Sequence, residues 1–166
     1  PGLLVFLSSH TKLISIDEDG RIAGSVTTMA GQLYRALLDQ TLVGKSVRED
    51  GTPKSSDPER IIDAAIASVA ESGVNRALFL PRFMDTLMAT SSSDRRLFLQ
   101  AVLAADDIKA FGNVEERLGT RARNLLIVGP AVRTRLYRAI LQRHLSRDVS
   151  IGELNDEDEL HAMVVH

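Results

Sequence analysis

The chain has 166 residues, 44% of them hydrophobic, with 20 Lys and Arg against 22 Asp and Glu and a net charge of −2. That length suits one ordinary domain with a real apolar core and is too short for a two-lobed enzyme. The lack of cysteine excludes a disulfide framework, a thiolate metal site and a cysteine nucleophile. The balanced charge leaves no excess for a nucleic-acid backbone, and no apolar run approaches the ~20 residues of a membrane span.

Residues 3–7 are continuously apolar and predict a buried strand; residues 12–16 alternate polar and apolar. Asp17-Glu18-Asp19-Gly20 supplies a turn from which residues 21–26 can return as a paired strand. Ser8-Ser9-His10-Thr11 interrupts the first two stretches as a tight polar turn. From Ala30 the period changes to that of a helix, with Ala30, Leu33, Tyr34, Leu37 and Leu38 on one face. Thr27 or Thr28 is available as its N-cap, and Gly44 stands just past its end. Residues 45–56 lose the period and read as a loop.

Asp57-Pro58-Glu59 is a helix start, with Asp as cap and Pro where its missing N–H costs nothing. Ile61, Ile62, Ala65, Ile66 and Val69 form that helix's buried stripe, and Gly73 stops it. Residues 74–88 predict a helix broken or kinked at Pro81. After Ser91-Ser92-Ser93-Asp94 comes a helix with the stripe Leu97, Phe98, Ala101, Val102, Ala105 and Ile108, ended by Phe111-Gly112-Asn113. Residues 125–128 read as a short buried strand, Gly129-Pro130 as a turn, and Val132, Leu136, Tyr137, Ile140 and Leu141 as the apolar face of a helix. Residues 149–154 predict a last strand and 156–165 a last short helix. The class is α/β, with more helix than strand and no internal repeat.

Two segments can carry chemistry. A glycine at a strand end followed by a helix, as at Gly129, lets a ligand approach the backbone near a helix N-terminus; equally, it makes a tight turn. Ser8-Ser9-His10-Thr11-Lys12 sets hydroxyls, amides and an ammonium on one turn, suited to a polyphosphate or simply to solvent. Gly44-Lys45-Ser46 lacks the first glycine of a P-loop and follows a helix, which excludes that motif. His10, His144, His161 and His166 match no zinc spacing. Asp106-Asp107 and the acidic run 156–159 read as solvated faces or helix starts. Arg133, Arg135, Arg138, Arg143 and Arg147 read as a polar helix side with surface ion pairs, and His144 as facing solvent.

The order of these segments adds a resemblance. Leu7-Ser8-Ser9-His10-Thr11-Lys12, Asp19-Gly20-Arg21-Ile22, Thr27-Thr28-Met29-Ala30-Gly31-Gln32-Leu33-Tyr34 and Leu42-Val43-Gly44 resemble the 2-dehydro-3-deoxygalactonokinase family. That family has a Pro-Gly-Thr-His-Ser-Lys turn, a hairpin and a Thr-x-Met-Thr-Gly-Glu-Leu helix start. Residues 96–103 look like its Leu-Ser-Gly-Leu-Leu helix, and Leu126-Ile127-Val128-Gly129-Pro130 with Tyr137 is similar to its strand–glycine nucleotide motif.

The resemblance implies an α/β fold of the ribonuclease H-like, actin-type ATPase class, with a mixed sheet flanked by helices. Residues 1–166 would be one domain, the C-terminal lobe of a two-lobed kinase whose N-terminal lobe lies outside this sequence. Ser9, His10, Thr11 and Lys12 would lie near the phosphates of ATP, and Gly129 and Pro130 near its nucleoside, with Mg2+ as the accompanying ion. The acceptor implied is the C6 hydroxyl of 2-dehydro-3-deoxy-galactonate. The Mg-associated aspartate and the catalytic base belong to the other lobe, so no catalytic residue is assigned here and the isolated chain is expected not to turn over.

The chain departs from the family pattern at Ser8, Ala30, Gln32, Ala101 and Ala104, and the first three support a second reading: a catalytically degenerate lobe acting as an interaction or oligomerisation module. Partners on the first reading are the nucleotide, the sugar acid and the other lobe, with a homo-oligomer left open and neither nucleic acid nor membrane. A cytoplasmic location fits the lack of cysteine and of a signal segment.

Overall fold

The computed structural model describes residues 1–48, 57–112, 124–145 and 148–155. The chain divides into two compact units, one of Pro1–Gly31 with Asp107–His166 and one of Gln32–Asp106.

The first unit is built on a five-stranded sheet in the order β3-β2-β1-β4-β5. Strands β1 (Gly2–Leu7), β2 (Thr11–Ile16) and β3 (Ile22–Thr28) form an antiparallel meander, while β4 (Asn124–Val128) and β5 (Ser150–Leu154) run parallel to β1. The segments expected at 3–26 and 125–128 therefore share one sheet. Alternation along the strands decides what is buried: Leu3, Val5 and Leu7 of β1, Leu13 of β2, and Leu125 and Ile127 of β4 are in the core. The Asp17–Gly20 turn closes through Asp17 Oδ1, which accepts from the amides of Asp19 (3.0 Å) and Arg21 (2.8 Å).

Thr27 and Thr28 do not cap the following helix. They belong to β3, opposite Lys12 and Thr11, because β-branched residues that complete a ladder have their backbone committed to it. Helix α1 (Ala30–Gln40) starts two residues later.

In the second unit, Gly44 does not lie beyond a helix: it sits inside a separate short helix, α2 (Leu42–Ser46), with Lys45 and Ser46. A Cβ at Gly44 would lie 2.0 Å from the Leu38 carbonyl oxygen, so glycine is required by close backbone packing. Residues 49–56 of the expected loop lie outside the described residues. Helix α3 (Pro58–Ser72) begins as predicted, with Asp57 Oδ1 accepting from Arg60 N at 3.1 Å, and stops at Gly73 with φ 79°. The break in the next segment falls at Leu78-Phe79, between α4 (Val74–Ala77) and α5 (Leu80–Thr86). Pro81 is then in a first turn, where a missing N–H is tolerated.

Helix α6 (Ser92–Ala110) is capped by Ser91, whose Oγ accepts from Asp94 N at 3.0 Å. Its predicted stripe understates its burial, since Leu99, Leu103 and Ala104 are also in the core. Arg95, 4% exposed, donates to Ser46 O and to Thr90 O, and its guanidinium lies 3.5 Å from Asp85. Arg96 donates to Val47 O at 3.1 Å. The two arginines thereby satisfy carbonyls that the end of α2 leaves without helical partners.

Back in the first unit, Phe111 is buried and Gly112 takes φ 73°, which ends α6 as expected. Helix α7 (Ala131–Leu141) packs on β4 and β5 through Leu136, Tyr137, Ile140 and Leu141. Val132, assigned to that face, is 67% exposed and does not belong to it, whereas Thr134 in the same turn is buried. The final helix expected at 156–165 and the unassigned stretch 113–120 lie outside the described residues.

Candidate functional site

Two strands that point the same way in a sheet bring the loops at their carboxyl ends together. Phe6 of β1 pairs with Val128 of β4, so the Ser8–His10 turn and the Gly129-Pro130 corner emerge side by side, although more than a hundred residues separate them. The chain leaves β1 toward β2 and reaches β5, on the other side of the sheet, after β4. A position between strands whose connections diverge is where open α/β sheets bind ligands.

Gly129 is buried with φ 149°, and a Cβ there would lie 2.7 Å from Leu7 O and 2.8 Å from Leu7 Cβ. The space a side chain would need is thus taken by the backbone of β1 itself. Gly129 N also donates to Leu154 O at 3.0 Å, and Pro130, exposed, precedes the first turn of α7.

The turn is closed by Ser8, whose backbone N–H and Oγ both reach His10 O at 3.1 Å. Ser9 is exposed, its Oγ 3.2 Å from His10 Nδ1. Strand alternation then separates the last two residues: Lys12 is exposed on one face of β2, while Thr11 is fully buried on the other. Thr28, opposite Thr11, has a buried Oγ1 with no hydrogen-bond partner among the described residues.

Thr11 leads to a network that sequence reasoning missed. Its Oγ1 lies 3.4 Å from Tyr137 Oη and 3.3 Å from Arg133 Nη2, and Tyr137 Oη donates to Asp107 Oδ2. Arg133 Nη1 donates to Ser8 O at 2.6 Å, with the guanidinium carbon 6.0 Å from the centre of the Tyr137 ring. Burial, together with the Asp107 carboxylate, pushes the Tyr137 hydroxyl pKa well above its ordinary value, so it stays a donor. Asp107 is 3% exposed, which corrects its reading as part of a solvated face: the last turns of α6 turn it toward α7. Arg133 likewise departs from its expected role: among the described residues it makes no ion pair, and it reaches inward to the turn. The Arg138 expectation holds, with an ion pair to Glu153 at 3.0 Å, and His144 is exposed. Arg147 and the run 156–159 lie outside the described residues.

A sequence-family comparison decides the kinship. The model of the 2-keto-3-deoxy-galactonokinase family matches residues 1–159. The chain belongs to that family. No curated protein matches the sequence significantly. Among solved structures, a Sinorhizobium meliloti protein provisionally assigned as a 2-dehydro-3-deoxygalactonokinase superposes with a TM-score of 0.73 at 20% identity. The superposition covers 99% of this chain and 52% of that one, so the chain spans about half the length of this neighbour. At that identity the likeness speaks for the fold alone, an α/β fold with a mixed five-stranded sheet flanked by helices, as the resemblance implied. Among the described residues no helix is long and apolar enough to cross a membrane, and no group of His, Asp and Glu could hold a metal ion.

The implied nucleotide and ion fare differently at this site. A turn with Ser9 and Lys12 exposed and His10 half-buried, beside a buried Thr28 hydroxyl that has no partner among the described residues, suits a phosphate group. Mg2+ finds no carboxylate set among the described residues, and no step is assigned to it.

Proposed function

We propose that the chain is the C-terminal, ATP-binding lobe of a sugar-acid kinase that phosphorylates 2-dehydro-3-deoxy-galactonate. The observation that carries the reading is the adjacency of the Ser8–His10 turn and the Gly129-Pro130 corner at the carboxyl ends of parallel strands. In this reading Ser9, His10 and Lys12 hold phosphate: the turn supplies amides and hydroxyl, and Lys12 a mobile positive charge. Thr11 contributes through its backbone, its side chain being engaged inside. Gly129 and Pro130 flank the nucleoside.

Bound there, ATP would supply the phosphoryl group. Phosphoryl transfer depends mainly on positioning and charge neutralisation, and these residues would contribute the first of these, plus one cation. Groups that activate the sugar hydroxyl would come from an N-terminal lobe, a division consistent with coverage of about half the structural neighbour. A cytoplasmic location belongs to the same proposal.

Calorimetry of the full-length chain with Mg-ATP, against its Lys12→Ala variant, tests the turn. Affinity should fall about tenfold in the variant, the scale of one charge-assisted contact; equal affinities would remove the turn from the phosphate site. Assay of the full-length parent, with both lobes present, against a panel of 2-keto-3-deoxy sugar acids tests the substrate. Nucleotide binding without transfer to any of them would favour the catalytically degenerate reading.

A further inference from the structure

We propose that Arg133 is a positioning residue that presents the backbone amides of the Ser8–His10 turn to a nucleotide phosphate. The inference rests on the reading of that turn as a phosphate site.

Arg133 holds the turn at two points, donating to Ser8 O at 2.6 Å and to Thr11 Oγ1 at 3.3 Å. A trans peptide carries its carbonyl and the next residue's N–H in opposite directions, and no cis bond occurs among the described residues. Drawing the Ser8 carbonyl toward α7 therefore turns the Ser9 N–H away from it.

The start of α1 acts on the same peptides. A Cβ at Gly31 would lie 2.3 Å from Ser8 O and 2.7 Å from Ser9 O, so the helix backbone packs directly on both carbonyls. With the Ser9 carbonyl turned toward α1, the His10 N–H points to the opposite side. Two successive N–H groups directed away from the protein interior make the concavity that binds anions.

The second arm of Arg133 is anchored in depth. A carboxylate only accepts, so Tyr137 donates to Asp107, the Thr11 hydroxyl donates to Tyr137, and the Thr11 oxygen is left to accept from Arg133. Every hydrogen bond from Asp107 to the turn then has one direction, and such chains reinforce one another. A guanidinium carries enough donors, in a rigid fork, to hold Ser8 and Thr11 together.

The test is calorimetry of the full-length chain with Mg-ATP and, separately, with adenosine, for the wild type, Arg133→Met and Arg133→Lys. Methionine retains a long stem near Tyr137 and removes both donors; lysine can still reach one acceptor. Mg-ATP affinity should fall about tenfold for Arg133→Met, the scale of losing one ordered hydrogen bond to phosphate, and less for Arg133→Lys. Adenosine affinity should be unchanged in both. Equal Mg-ATP affinity in the wild type and Arg133→Met overturns the positioning role, and so does an equal loss for adenosine, which marks general damage to the fold.

A second measurement needs no variant. Titration with inorganic pyrophosphate should shift the Ser9 and His10 amide resonances of the wild type ahead of those elsewhere; fixed resonances overturn the proposal. If the unmodified chain binds neither Mg-ATP nor pyrophosphate, the phosphate reading itself fails and takes the positioning role with it. That outcome is distinct from wild type and variant binding Mg-ATP alike.

Discussion

Gly129 and Gly20 both take positive φ, but for different reasons. At Gly20 (φ 76°) a Cβ would meet nothing within 4 Å, whereas at Gly129 (φ 149°) it would stand 2.7 Å from the Leu7 carbonyl oxygen. Gly20→Ala should therefore cost about 1 kcal/mol of backbone strain, and Gly129→Ala clearly more, about 3 kcal/mol, since strain and a backbone clash add. Denaturant unfolding of the two variants checks the order; equal costs would mean that β1 and β4 can part without penalty. Tyr137 and Asp107 offer a paired test. Tyr137→Phe removes the donor to a carboxylate that is 3% exposed and should cost about 2 kcal/mol. Replacing both partners, Tyr137→Phe with Asp107→Leu, should cost less than the sum of the single variants, because no buried group is then left without its bond. Additive costs would show that the two side chains are not coupled. None of this was legible at Asp106-Asp107, where two adjacent acids carry the ordinary signature of a solvated helix face.

At the scale of elements, α7 and β5 are joined by a polar cluster at the carboxyl end of the sheet. Glu153 accepts from Thr134 Oγ1 and from Arg138 Nη1, each at 3.0 Å, and from Asn155 Nδ2 at 3.4 Å. Burial works to raise the Glu153 pKa, but these hydrogen bonds and the Arg138 charge outweigh it and hold the carboxyl below its ordinary value. The unfolded chain thus takes up a proton at higher pH than the folded one. The stabilisation is complete above the ordinary glutamate range and is lost as the pH falls through the lowered folded value. The stability difference between wild type and Glu153→Gln should accordingly shrink on acidification from neutral pH; a constant difference would show that ionisation of Glu153 is immaterial to the α7–β5 contact. Element boundaries were readable where one residue type acts alone, as with Asp57 as cap and Gly73 as stop. They were misjudged where a neighbouring element competes: β2 recruits Thr27 and Thr28 into its ladder, and Gly44 serves backbone packing against Leu38 instead of ending a helix.

For the whole molecule, the sequence by itself determined the class, the meander, the Asp57 cap, the strand–glycine–helix unit and the kinship, which its matched residues 1–159 carry. These follow from local periodicity, from backbone preferences of Gly and Pro, and from motif order, all of which act over a few residues. Only the tertiary structure decided that β1 and β4 are parallel neighbours, so that a turn at residues 8–10 and a corner at 129–130 share one end of the sheet. It alone also directed Arg133, Tyr137 and Asp107 inward to Thr11. Pairing between distant strands and the choice of inward face depend on where the rest of the chain packs, and charge or spacing along the sequence carries no record of that choice.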